Sequence, residues 1–272
     1  MSVSQTDNNI PTARLRVCII GAGNVATHLA IALNTVADIV QIYSHTLINA
    51  RRLAEHIGRP HTATDAIDNI THDADIYIVS VKDDCIADVA AHTPDCGIWA
   101  HTSGSIDMSV FAGLKTNYGV FYPLQTFSRT ADLDISQVPF FIEGNDTTAF
   151  DRLFSLASLI STVVDPADSN RRKALHIAAV FACNFVNFMW TQADTLLRRD
   201  NLDITFMMPL LKETLNKLNH LSPAEAQTGP ARRGDLNIIN KHLSDLSGDA
   251  KTIYSLLSDM IVKQYNPDIS HE

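Results

Sequence analysis

The chain has 272 residues, 46% hydrophobic and 19% charged, an ordinary soluble composition long enough for one large domain or two moderate ones. Its formal net charge of −9 argues against nucleic acid as a partner, because phosphate binding needs a basic surface. Four cysteines (Cys18, Cys85, Cys96 and Cys183) stand far apart with no C-x-x-C pair, so reduced thiols in a cytoplasm are expected, with no metal site and no disulfide framework.

In chain order, the polar opening from Met1 to Thr12 lacks the apolar core of a signal peptide. Leu15 to Ile20, apolar but for Arg16, predicts a first strand ending at Gly21, and Ala26 to Leu33 has helical spacing. Between them Gly21-Ala22-Gly23-Asn24-Val25-Ala26 reads G-x-G-x-x-A. The first glycine of such a loop permits a tight turn, and the second lets the backbone approach a pyrophosphate. Ala26 keeps helix and strand close, while the helix N-terminus offers N–H groups to the anion. The strand before and the helix after give the motif its weight.

Ile39 to Tyr43 predicts a second strand, and a helix is expected from about Asn49 to Ile57. An NAD site usually places an acidic residue about 20 positions beyond the glycines, where it binds the ribose 2′-hydroxyl. Here the chain reads Tyr43-Ser44-His45-Thr46 without a carboxylate, and then Arg51-Arg52. Hydroxyls with a nearby guanidinium suit a 2′-phosphate, so the expected cofactor is NADP, held at this end by Ser44, His45, Thr46 and Arg51. A solvated helix face would account for the same two arginines.

Ile76 to Val81 has a buried-strand pattern and precedes a helix from Cys85 to Ala91. Ile98 to His101, Gly119 to Tyr122, Phe140 to Glu143 and Thr162 to Val164 complete the strand candidates. Strands alternating with helices predict an α/β fold with a mostly parallel sheet covered on both faces. Ligands of such sheets lie beyond the carboxyl ends of the strands. Val81, Lys82, Thr102 and Ser103 are therefore candidates for the cofactor pocket. His101, at a strand end before a hydroxyl- and glycine-rich turn, is a candidate for proton transfer or carbonyl polarisation. It would equally serve as a turn residue that only shapes the pocket.

The pattern changes at Asp165-Pro166, giving two domains: 1–167, α/β, and 168–272, all-α. Helices are predicted over Asn170 to Arg199, Ile204 to Leu221 and Asp235 to Tyr265, with capping side chains at Asp168-Ser169-Asn170 and a loop from Pro223 to Gly234. The longest apolar stretch, Ile177 to Trp190, is interrupted by Asn184 and Asn187 and is short for a bilayer, so no membrane partner is expected. Lys173, His176, Asn184 and Asn187 keep near one helical face, where His176 and Asn184 could hold and protonate a substrate atom. Buried polar groups satisfied by neighbouring helices would look the same. Arg232 and Arg233, beside Asp235, could bind a substrate carboxylate or hold an interface. His242 and Tyr254 on the last helix are weaker candidates.

These residues resemble those of bacterial Rossmann-like proteins with a C-terminal DUF2520 domain. The matching pieces are Ile20-Gly21-Ala22-Gly23-Asn24-Val25-Ala26, His101-Thr102-Ser103-Gly104 and Tyr122-Pro123-Leu124-Gln125-Thr126-Phe127. The second half adds His176-Ile177-Ala178-Ala179-Val180-Phe181 with Asn184, and Thr228-Gly229-Pro230-Ala231-Arg232-Arg233-Gly234-Asp235, the most distinctive of the set. The resemblance implies NADP oxidoreductases, some labelled deazaflavin-dependent, with a fold similar to pyrroline-5-carboxylate reductase and 6-phosphogluconate dehydrogenase. In that fold the helical C-terminal domain dimerises and closes the active site. One departure is Tyr122, which stands where a histidine is expected before Pro-Leu. The expectation is a reductase moving hydride between NADP(H) and a small carbonyl or imine substrate, with His101, His176, Asn184, Arg232 and Arg233 at the reacting end. The alternative is a non-catalytic NADP(H) sensor.

Overall fold

The structure, a computed structural model, describes residues 14–129 and 133–269, so the polar opening from Met1 to Thr12 lies outside the described residues. The elements of the first part are β1 (Arg16–Ile20), α1 (Asn24–Val36), β2 (Asp38–Tyr43), α2 (Leu47–His56), β3 (Ala63–Thr64), β4 (Ile76–Val79), α3 (Ile86–Ala91), β5 (Ile98–His101), β6 (Asn117–Pro123), β7 (Phe140–Gly144), α4 (Thr147–Ser158) and β8 (Val164–Pro166). They form one eight-stranded sheet in the order β3-β2-β1-β4-β5-β6-β7-β8. Every described pairing is parallel except β6 with β7. The order reverses at β1, which lies between β2 and β4. That is the crevice where a doubly wound sheet takes its ligand.

The central strands are continuous apolar runs because both faces are covered. On β1, Val17 and Ile19 pack into the larger core with Leu29 and Leu33 of α1 and Leu153 of α4. Cys18 and Ile20 point into the opposite core with Tyr77, Trp99 and Phe111. Tyr77 and Trp99 stack at 4.4 Å, and the Lys115 ammonium lies 4.2 Å over the Trp99 ring while donating to the carbonyls of Thr93 and Pro94.

The second part is helical: α5 (Ser169–Ala179), a π-helical segment Val180–Phe185, α6 (Val186–Arg199), α7 (Met208–Lys217), α8 (Pro223–Ala226), α9 (Pro230–Arg233), α10 (Leu236–Asp245) and α11 (Gly248–Tyr265). Asp168 caps α5, accepting from the Arg171 N–H at 2.7 Å. The single helix predicted from Asp235 to Tyr265 is two, separated at Leu246-Ser247, and α11 starts on Gly248 at φ +60°. The predicted loop from Pro223 to Gly234 contains two one-turn helices, each opened by a proline whose fixed φ suits the first helical position. Ser169–Arg199 is one helical run of 31 residues, longer than the apolar stretch read from the sequence. By length and composition it could cross a membrane, with a mean hydropathy of 1.4 over its best 18-residue window and none of that window buried. An exposed apolar helix face also marks a protein–protein interface.

The chain divides into two compact units, Met1–Cys183 and Asn184–Glu272. α5 therefore goes with the sheet, although its sequence is as helical as that of α6 and α7. Arg172 is one of its ties, with a side chain 1% exposed that pairs with Glu143 of β7 at 2.5 Å, and Leu175 packs beside Tyr122 and Phe141.

Candidate functional site

The glycine loop leaves β1 at the crevice. The Gly21 N–H donates to the Tyr43 carbonyl at 2.8 Å, and Gly21 itself sits at φ +118°. A Cβ there would lie 2.1 Å from the Ser80 carbonyl oxygen just past β4, so only glycine fits. Gly23 is different: a Cβ on it would meet nothing within 4 Å. It caps α1 without a side-chain hydrogen bond, and the first turn, which includes Val25 and Ala26, carries no acidic residue. Open space before a bare helix N-terminus fits a dinucleotide pyrophosphate, which backbone N–H groups and the helix dipole would hold.

A segment that the motif does not reveal reaches this loop. The Arg129 guanidinium donates to the Ala22 carbonyl at 2.8 Å, and Asn24 Nδ2 donates to the Phe127 carbonyl at 3.0 Å. His28 Nε2 donates to the Ser128 carbonyl at 2.9 Å. The end of the Tyr122-to-Phe127 motif is thus tied to the first turns of α1, and Arg129 brings a positive charge that its distance in sequence conceals.

At the ribose end, Ser44 is buried and its hydroxyl accepts from the Thr46 N–H at 3.4 Å. α2 begins at Leu47, two residues earlier than the pattern predicts, so Thr46 is its N-cap; its hydroxyl makes no capping bond. His45, Arg51 and Arg52 are exposed, and among the described residues neither arginine forms an ion pair. Val81 is half-buried and Lys82 exposed beyond the end of β4.

The turn after β5 follows His101, the last residue of that strand. Its ring is buried against Phe111, 5.7 Å between centroids, and accepts the Ser103 N–H on Nδ1 at 3.2 Å. Burial, reinforced by the Arg172 charge, pushes its pKa down to about 3. The other ring nitrogen, Nε2, is buried with no hydrogen-bond partner among the described residues. The Ser103 hydroxyl accepts from the N–H groups of Ser105 and Ile106 at 3.1 Å. The Thr102 N–H donates to the Val79 carbonyl. Arg172 locks this turn to α5: its Nε donates to the Ser103 carbonyl at 3.2 Å, and Nη2 donates to the Ile106 carbonyl.

One turn beyond Arg172, His176 meets Tyr122. His176 Nδ1 lies 3.2 Å from the Tyr122 hydroxyl, with the rings edge-on at 6.3 Å. Gly104 makes room, since a Cβ there would come within 2.7 Å of His176 Nδ1. Tyr122 is 6% exposed and His176 half-buried. Burial raises the phenol pKa, partly offset by Arg172. Tyr122, a departure from the expected motif, is therefore the partner of a predicted site residue.

In the helical unit, Asn184 lies in the π segment and is exposed, as are Arg232 and Arg233. The Arg232 guanidinium stacks 4.3 Å over the Tyr265 ring, and the Asn266 side chain donates to the carbonyls of Ala231 and Arg232. Among the described residues Arg233 forms no ion pair. Thr228 and Gly229 edge a largely apolar cavity of about 360 Å³, also lined by Met189, Leu196, Tyr254 and Leu257. The Tyr254 hydroxyl is 2.7 Å from His242 Nδ1.

Sheet order, glycine loop and helical second unit together define a Rossmann-type fold with a helical C-terminal region. Residues 1–125 match the Rossmann-like domain model and 138–261 match the domain of unknown function DUF2520. A Bacteroides fragilis protein provisionally named an NADP oxidoreductase is 41% identical over 92% of this chain and 98% of its own, with a TM-score of 0.85. The chain belongs to this Rossmann-like/DUF2520 family. An Aspergillus terreus reductive aminase, solved with NADPH4, cyclohexanone and allyl amine, has a TM-score of 0.69 at 14% identity, covering 93% of this chain and 95% of its own. A 1-pyrroline-5-carboxylate reductase from Streptococcus pyogenes has a TM-score of 0.62 at 14% identity, covering 93% and 98%. These two likenesses show the fold. No curated protein sequence matches the chain.

Proposed function

We propose that this protein is an NADP(H)-dependent oxidoreductase that reduces a small carbonyl or imine compound. The observation that carries the reading is the glycine loop: Gly23 opens onto space at a bare helix N-terminus at the sheet's switch point. Support comes from the name of the 41% identical Bacteroides protein and from the carbonyl and amine held by the Aspergillus aminase. For NADP over NAD, the support is the lack of a carboxylate after β2, with Ser44, His45, Thr46 and Arg51 there to meet a 2′-phosphate. Bound NADPH would supply the hydride. The chain supplies the rest: backbone N–H groups hold the pyrophosphate, and His176 serves acid–base chemistry at the ligand edge of the sheet. A substrate part for Asn184 and the division of labour between 1–167 and 168–272 belong to the same proposal.

Exposed apolar side chains of the helical unit, among them Phe206, Leu210, Leu215 and Met260, call for cover. We assign that cover to a second copy of the chain through a twofold interface, and the protein to the cytoplasm. The test of function is NADPH consumption against ketones, keto acids and ketone–amine mixtures, with a reduced deazaflavin as control reductant. Turnover with NADPH supports the reading. Tight NADPH binding without turnover on any substrate would favour a sensor instead.

A further inference from the structure

We propose that Tyr122 is the immediate proton donor to the substrate and that His176 restores its proton. This rests on the oxidoreductase reading and assigns the acid of that reaction. Tyr122 is the next-to-last residue of β6, whose carboxyl end faces the ligand edge of the sheet. On the neighbouring strand β5, His101 pairs with Val120, so Tyr122 stands two residues further toward that edge. His101 packs against Phe111, and the Tyr122 hydroxyl lies within hydrogen-bond distance of a half-buried imidazole.

Three features hold the pair. Arg172, four residues before His176 on α5, fixes that face of the helix to Glu143 and to the Ser103 and Ile106 carbonyls. Gly104 lets the turn come against the imidazole. Pro123 and the Leu124 N–H, which donates to the Pro139 carbonyl at 2.8 Å, fix the strand end that carries the phenol. A buried phenol keeps its proton at neutral pH, and the half-buried histidine links it to water.

In the reduction, bound NADPH would supply the hydride for the carbonyl or imine carbon. The C=O or C=N π bond breaks, its electron pair takes the proton from Tyr122 Oη, and an O–H or N–H bond forms. His176 returns a proton from Nδ1 to the phenolate oxygen, and Nε2 takes one from water. One hydride and one proton are consumed.

Tyr122→Phe keeps the ring and removes the hydroxyl. With the full-length protein, NADPH affinity and melting temperature should stay close to those of the unsubstituted chain, while kcat falls by about 100-fold or more. The His176 imidazole nitrogen resonances, tracked by NMR, should shift in the variant. Added imidazole should restore part of the rate to His176→Ala and none to Tyr122→Phe. Unchanged His176 resonances, or unchanged turnover in Tyr122→Phe, would overturn the proposal. Failure of the unsubstituted protein to oxidise NADPH with any carbonyl would overturn the oxidoreductase reading and the acid role with it. Turnover surviving in Tyr122→Phe would overturn the acid role alone.

Discussion

At the scale of single residues, the two glycines of the loop separate folding from binding. Gly21 is needed by the chain itself, because a Cβ would strike the Ser80 carbonyl at 2.1 Å from a backbone at φ +118°. Gly21→Ala should cost about 3 kcal/mol or more, read by chemical denaturation. Gly23 faces open space, so Gly23→Ala should melt like the parent yet lose NADPH affinity in a fluorescence titration. His101 makes a pH prediction. Its pKa in the fold, about 3, lies below its ordinary 6.5, so the unfolded chain takes up the proton first. The stability this contributes is complete above pH 6.5 and is lost as the pH falls toward 3. His101→Asn keeps an acceptor for the Ser103 N–H and removes the titration. The drop in unfolding free energy between neutral pH and about pH 4.5 should therefore be smaller in the variant, and an equal drop would contradict the assignment.

At the scale of elements, α5 joins the sheet through Arg172. Removing one partner of a buried ion pair strands the other, so Arg172→Met should destabilise by about 3 kcal/mol. Pairing it with Glu143→Met should recover much of that loss, because neither charge is then left alone. Denaturation of the single and double variants checks the loss and its recovery. The same physics decides which elements are legible in the sequence. β1, β4 and β5 stand out because burial on both faces leaves apolar runs, and the glycine loop because its backbone demands are local. The attachment of α5 is hidden, since an arginine in a helix reads as solvated until Glu143 is seen beside it. Tyr122 with His176, 54 positions apart, and Arg129 with Ala22, 107 apart, are hidden for the same reason. The strand-end position of His101 is visible in the sequence, while the Phe111 ring that packs against it is not.

At the scale of the molecule, the sheet unit has a closed core on each face, whereas the helical unit leaves Phe206, 68% exposed, and Leu215, 61%, in the open. Light scattering behind gel filtration should therefore give about twice the chain mass of 29.9 kDa, and a monomer at micromolar concentration would contradict the twofold interface. The net charge of −9 repels an anionic cofactor, so binding must come from local groups. These are the bare end of α1 and, beyond β2, Ser44, His45, Thr46 and Arg51. The measurement that tests this most directly is a parallel titration of the purified protein with NADPH and NADH, read by cofactor fluorescence. The account predicts saturable binding of NADPH and at least tenfold weaker binding of NADH, about 1.4 kcal/mol of discrimination from the 2′-phosphate. Equal affinity, or binding of neither, would contradict it.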